Sequence, residues 1–279
     1  MIKLINIELY KIFKKWRTYI GFIAIAILVP VIEIALQVEG QRSLNFMLRD
    51  LEQSFLFVGN LLNTYFVSYL ILNSLTVHIP FLIALVAGDL LAGEATAGTY
   101  RLLITRPVSR LKIISSKYIA GIIYTFMLIF WLALISMGLG YFLLGTGELM
   151  VLKGGTIMVF AKDDILWRFV LAYSFAVLSM SVVASIAFLF SALVENAIGP
   201  IITTMAIIII FLIISAINVD IFQTIKPYLF TSYMGTWSMF FTKPLDTYEI
   251  VKSTSIMLGH IVGLFGLATY IFYKKDILT

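Results

Sequence analysis

The sequence contains no cysteine, which excludes disulfides and thiolate metal sites. It has only two histidines, His78 and His260, far apart and without a His-Glu-x-x-His pattern, so zinc-hydrolase chemistry has no ligand set. It lacks a Gly-x-x-x-x-Gly-Lys-Ser/Thr segment to cradle phosphates and a Gly-x-Ser-x-Gly nucleophile elbow. Paired glutamates of the kind membrane metalloproteases use are missing as well. Charge is also scarce: Asp, Glu, Lys and Arg make up 13% of residues, about half the share in a soluble domain. These absences argue against an enzyme, and no catalytic, cofactor-binding or metal-binding residue is assigned.

What remains is apolar. Hydrophobic residues make up 61% of the chain and the mean hydropathy is +1.02. The apolar stretches run about 20 residues or longer without the strict alternation of a barrel strand, so the chain is read as an all-α polytopic membrane protein. One transmembrane domain covers 1–279. Six spans are expected: Tyr19 to Leu36 with Pro30 inside, Tyr65 to Ala87 with Pro80 inside, Tyr118 to Leu144, Leu166 to Leu193, Ile198 to Ile217, and Ser255 to Tyr273. Prolines inside spans are tolerated where neighbouring helices satisfy the freed carbonyls.

Before the first span, residues 1–17 are amphipathic. Ile2, Ile5, Leu9, Ile12, Phe13 and Trp16 share a helical face, and Lys3, Lys11, Lys14 and Lys15 lie largely elsewhere. This is the pattern of a helix lying in the headgroup plane. No small-residue cleavage site of a signal peptide follows it. The net charge of +5 is read through topology rather than as nucleic-acid binding. With the N-terminus inside, twelve Lys and Arg fall in inner segments and eight in outer ones, while nine acids fall outside and five inside. Both termini are therefore expected in the cytoplasm.

The outer segments carry pattern of their own. Leu44, Met47, Leu48, Leu51 and Phe55 have helical spacing between Val38 and Gly59. Residues 218–253 are rich in aromatics, among them Phe222, Tyr228, Phe230, Trp237 and Phe241, and are expected to form short interfacial or re-entrant helices. Within the spans, Glu33, Asn73 and His78 are candidates for a pathway. Glu33 is otherwise an acid hydrated near the outer interface, and the other two are otherwise satisfied structural groups. Ser174, Ser181 and Ser185 in span four, and Gly259, Gly263 and Gly266 in span six, form small-residue stripes suited to close helix packing.

The most informative segment lies between spans two and three. It reads Gly88-Asp-Leu-Leu-Ala-Gly93-Glu94-Ala-Thr-Ala-Gly98-Thr99-Tyr-Arg101-Leu102-Leu103-Ile-Thr-Arg106-Pro107-Val-Ser109-Arg110. A helix is expected to run from Asp89 towards Ile104 and to break at Arg106-Pro107, because the residue before proline avoids the helical region. Ser109 is placed to cap the next helix. The result is a cytoplasmic elbow over 89–116 whose Leu102 and Leu103 need cover, with Arg101, Arg106 and Arg110 as a charged rim.

This run, Gly93-Glu94, Gly98-Thr99, Leu102-Leu103, Pro107-Val-Ser109-Arg110, then Ile113 and Lys117, resembles the segment after span two in ATP-binding-cassette (ABC) exporter permeases of type 2. Within them it is similar to the branch containing the permease of the nitrous-oxide-reductase copper-maturation system. The amphipathic start, the six spans and the Phe272-Tyr-Lys-Lys275-Asp276 ending are similar too. The resemblance implies a non-catalytic exporter subunit of a prokaryotic plasma or inner membrane. It implies a dimer, with a second copy or a related permease, and two copies of a separate ABC ATPase. ATP and Mg would be bound by that ATPase rather than by this chain, and an outer accessory protein would be a separate chain. Docking residues carried over are Glu94, Gly98, Thr99, Arg101, Leu102, Leu103, Arg106, Pro107, Ser109 and Arg110. Tyr100 departs from the smaller or aliphatic residue usual there. The competing readings are an ATP-independent channel or secondary transporter, which needs charged residues around a midplane site, and a membrane scaffold.

Overall fold

The structure, a computed structural model, describes residues 1–48, 61–75, 77–99, 108–153, 156–217 and 219–275. For 41–48 and 75 only the backbone course is described. Helix α1 (Ile2–Lys14) ends where Lys15 turns extended, and α2 (Trp16–Leu48) starts at once. At 1.5 Å per residue the 33-residue α2 is about 50 Å long. It therefore overruns a hydrocarbon core of about 30 Å. The outer helical pattern from Leu44 to Leu48 is thus a continuation of the first span rather than a separate helix, and Leu51 and Phe55 lie outside the described residues.

The second expected span is broken. Helices α3 (Thr64–Leu75) and α4 (Ile79–Ala87) meet at 55°. Pro80 lies in the first turn of α4, where its missing N–H leaves no hydrogen bond unmade. The proline is therefore a start signal rather than an interior defect. Asn63 fixes the other end of the pair, its Oδ1 accepting from the Tyr65 and Phe66 amides at 3.0 and 3.2 Å.

Beyond Gly88 lies the short α5 (Asp89–Thr96). Then come α6 (Arg110–Leu144), α7 (Leu166–Leu193), α8 (Ile198–Ala216) and α11 (Thr247–Lys274). Among the described residues five helices are long and apolar enough to cross a membrane, and the bent α3–α4 pair makes up to six. Helix α7 is the hub: 72% of its apolar window is buried, against 17–44% for the other four. An apolar helix buried on nearly all sides belongs at the bundle centre, and the exposed apolar faces of α2, α8 and α11 suit lipid. Gly259, Gly263 and Gly266 sit on such an open face, with nothing within 4 Å of where a Cβ would stand. The close packing expected there is not made within the chain. In α7, Ser181 and Ser185 are buried and Ser174 is exposed.

The end of the bundle away from α1 carries strands, which an all-α reading did not include. β1 (Leu149–Lys153) pairs antiparallel with β2 (Thr156–Phe160), Leu149 opposite Phe160 and Lys153 opposite Thr156. Runs such as Met-Val-Leu and Ile-Met-Val fit a pleated, half-buried surface. Residues 219–246 fold over this end as a packed cap. It holds α9 (Asp220–Gln223), α10 (Thr231–Met234) and 3-10 turns at Lys226–Tyr228 and Gly235–Phe241. Phe230, Trp237, Phe240 and Phe241 are buried, while Tyr228 is exposed. Arg168, 5% exposed, pins the cap. It donates to the Phe240 carbonyl at 2.6 Å and to Asp164 at 3.1 Å, and its guanidinium lies 4.6 Å from the Phe160 ring centroid. The last helix accordingly begins at Thr247, capped by Asp246, two turns before the expected start of span six.

Candidate functional site

The expected elbow is resolved into a short helix locked in place by its neighbours. Helix α5 starts one residue after Gly88 and ends at Thr96 rather than running towards Ile104. Gly98 takes a φ of 66°, the left-handed region that glycine enters without strain, and this stops the helix. Ser109 caps α6 as expected, its hydroxyl accepting from the Lys112 amide at 3.4 Å. Arg110 donates to the carbonyls of Tyr273 and Lys275, joining the start of α6 to the end of α11. Arg101, Leu102, Leu103, Arg106 and Pro107 lie outside the described residues.

Glu94 is not a free surface acid. Its Oε1 lies 2.8 Å from Lys11 Nζ on α1 and 3.0 Å from Lys117 Nζ on α6, and its other oxygen accepts from the Thr99 hydroxyl. Lys117 also reaches Glu8 Oε2 at 2.7 Å, and Lys11 reaches Glu8 Oε1 at 3.0 Å. Two acids and two lysines thus form a closed square, with the Lys117 side chain 1% exposed at its centre. The square matches charges in number, as burial of ionised groups requires. Burial alone would raise the Glu94 pKa. The Lys117 charge and the hydrogen bonds from Lys11, Thr99 and Lys117 outweigh it and bring the carboxyl to about 2. Lys11 is held above its ordinary value despite burial, by Glu94 and Glu8.

A second cluster sits beside the first. Asp89, at the first turn of α5, accepts from Lys15 Nζ at 2.6 Å and from Arg17 at 3.1 Å. These two cations flank the break between α1 and α2, so Asp89 fixes the angle at which the amphipathic helix enters the first span. Gly93 makes this possible: a Cβ there would stand 2.8 Å from Asp89 Cγ.

The third tie runs to the bundle centre. Ser191, near the end of α7, places its Oγ 3.0 Å from the Leu91 amide and 2.8 Å from the Ala92 amide. Leu91 is among the first amides of α5, which have no partner within their own helix, and Ala92 follows it. A serine from a distant helix thus does the work of an N-cap. Thr96 extends the contact by donating to the Glu195 carbonyl at 2.9 Å and accepting from the Ala197 amide. Eight residues of α5 are therefore tied to α1, α6, α7 and the turn into α8.

The expected pathway residues do not gather. Asn73 and His78 are exposed, His78 Nδ1 lying 3.1 Å from the Ser74 carbonyl within the break. Glu33 differs from them in being fully buried within the chain. The sequence reading missed Glu8, Lys11, Asp89, Lys117 and Ser191 as a connected set. A signal existed for two of them. Glu8 falls three residues after Ile5 and four before Ile12, on the apolar face, and Lys117 follows Ile113 by four in an apolar helix. A charge on an apolar face asks for a buried partner.

An apolar bundle of helices long enough to span a bilayer, with a short helix braced to several of them, defines a multi-pass membrane protein. Residues 2–277 match the ABC-2 family transporter protein description, and the chain belongs to that family. It is also 26% identical over 206 residues to the uncharacterized protein YhcI of Bacillus subtilis (strain 168). That match covers 69% of this chain and 63% of YhcI. The family is one of transporter proteins, and the match to YhcI spans less than two thirds of that relative's length.

Proposed function

We infer that the chain is the membrane-spanning subunit of an ABC exporter. It pairs with a second copy or a related permease around the pathway and takes its energy from a separate ATPase docked on residues 89–116. Both termini then lie in the cytoplasm, and the bent α3–α4 pair counts as one of six spans. The observation that carries this reading is the bracing of α5. A load on the segment that follows it passes at once to α1 through Glu94 and Asp89, to α6 through Lys117, and to α7 through Ser191. A partner whose nucleotide states bind that segment with different affinity biases the arrangement of the spans.

On this reading the docking set has two parts. The contacts of Glu94 with Lys11 and Lys117 support a positioning role that holds the elbow to the bundle, and the basic, apolar run from Arg101 to Arg110 is the part that meets the ATPase. Affinity purification of the tagged protein from its native host, with mass spectrometry of what accompanies it, tests the reading. A stoichiometric ATPase carrying a Gly-x-x-x-x-Gly-Lys-Ser/Thr segment is expected, and Arg101→Glu should release it from a still folded permease. A chain that purifies alone and conducts solute in ATP-free vesicles would be a channel or secondary transporter instead.

A further inference from the structure

Glu33 lies 17 residues into α2, about 25 Å from Trp16 along the helix axis at 1.5 Å per residue. Its side chain is fully buried, and neither carboxylate oxygen has a hydrogen-bond partner among the described residues. The pocket around it is made by a small residue. A Cβ on Gly140 of α6 would stand 3.2 Å from Glu33 Oε1 and 3.0 Å from Thr64 Cγ2 of α3. Space for the carboxyl thus depends on a glycine at that turn of α6.

The nearby hydroxyls are committed elsewhere. Thr64 donates to the Gly145 carbonyl at 2.6 Å and Ser68 donates to the Ser136 carbonyl at 3.0 Å. Ser136 and Tyr173 share a hydrogen bond at 2.8 Å. Among the described residues no donor is left to hold a carboxylate anion, and no cation forms an ion pair with it.

The titratable groups on the surrounding elements do not neutralise Glu33 either. Tyr173 on α7 shares its hydroxyl with Ser136. Helix α2 itself carries Glu39 and, nine residues beyond Glu33, Arg42, whose side chain lies outside the described residues; α3 carries Tyr65 and Tyr69, and the neighbouring stretch of α6 carries the exposed Tyr141. Helix α4 brings only the exposed His78, at its N-cap. Helix α1 offers Glu8 and Lys11, which are bound into the cluster at the other end.

We propose that Glu33 is an intramembrane proton site: its carboxyl carries a proton in this packed arrangement of α2, α3 and α6 and gives it up to water when those helices separate. An ionised carboxylate taken into an apolar interior without donors costs several kcal/mol on the order of any buried ion, so such a group takes a proton instead. The packed form then holds one proton that the open, hydrated form releases at neutral pH. Stability of the packed form therefore falls as pH rises. The inference does not depend on an ATPase partner, because it concerns packing within one chain.

Infrared spectroscopy of the purified protein in lipid nanodiscs at about pH 7 tests the proton directly. The carboxylic-acid carbonyl band is expected in the native protein and absent in Glu33→Gln, an isostere that keeps shape and neutrality. Identical spectra in that region would mean that Glu33 is ionised, and the proposal would be overturned. Thermal unfolding adds a second reading. The native midpoint should drop between mildly acidic and mildly alkaline buffer by more than that of Glu33→Gln. Equal drops would overturn the claim that opening releases the proton.

Discussion

Replacing Lys117 by Met isolates what the buried ion cluster contributes. The Lys117 ammonium is 2.7 Å from Glu8 and 3.0 Å from Glu94, with 1% of the side chain exposed. Each contact is worth roughly 5–6 kcal/mol of Coulomb energy at an effective dielectric of about 20. Desolvation of the three ions offsets most of this. Removing the cation leaves two carboxylates facing each other, and only Lys11, 38% exposed, remains to screen them. Breaking one partner out of a buried pair costs about 3–5 kcal/mol. For a chain of this size that corresponds to a fall in melting temperature on the order of 10 °C. Methionine keeps the unbranched length, so packing loss adds little.

The assay is thermal unfolding in detergent for Lys117→Met, for Glu94→Gln and for the double variant, with exposed Lys14→Met as control. The control should move by less than about 0.5 kcal/mol. The double variant should recover part of the loss, with a coupling energy of about 1–3 kcal/mol. If Lys117→Met melts with the native protein, or if the two changes simply add, the closed square of charges does not hold α1 and α5 to α6.

Other expectations follow from the same contacts. Ser191→Ala removes the acceptor of the Leu91 amide and one acceptor of the Ala92 amide and should cost about 1–3 kcal/mol. Hydrogen exchange should then speed up in α5 before it does in α7. Arg168→Lys keeps the charge but loses the fork that joins Phe240 to Asp164. Limited proteolysis should cut residues 219–246 faster in this variant while the helical circular dichroism is unchanged. For Glu94 the folded pKa of about 2 lies below its ordinary 4.5. Its stabilisation is therefore complete above about pH 4.5 and is lost as pH falls towards 2. A spin label on α1 should stay immobile through the neutral range and loosen only in acid, and loosening near neutral pH would contradict the assignment.

Legibility in the sequence followed the range of the interactions involved. Span positions came from runs of apolar residues, and α6 and α7 lie close to where those runs put them, because helix hydrogen bonds are local and apolar length is set by the bilayer. The Ser109 cap was legible for the same reason: donor and acceptor are three residues apart. Pro80 was visible but ambiguous, since a proline inside a span and a proline opening a helix look alike in one dimension. The hairpin was hidden because its ten strand residues are as apolar as a short helix and pair only with each other.

Composition and order alone determined that this chain lives in a membrane, that it has no nucleotide loop of its own, and that one charged segment interrupts its spans. Family resemblance in that segment then pointed to a transporter subunit. Only the tertiary structure decided what the charges do. Glu94 and Lys117 are 23 positions apart, Glu8 and Lys117 are 109 apart, and Ser191 is 99 residues from the amide it caps. Pairings across such separations follow from which helices pack side by side, and hydropathy carries no record of them. The same holds for Glu33, whose burial comes from packing against Gly140, 107 positions away.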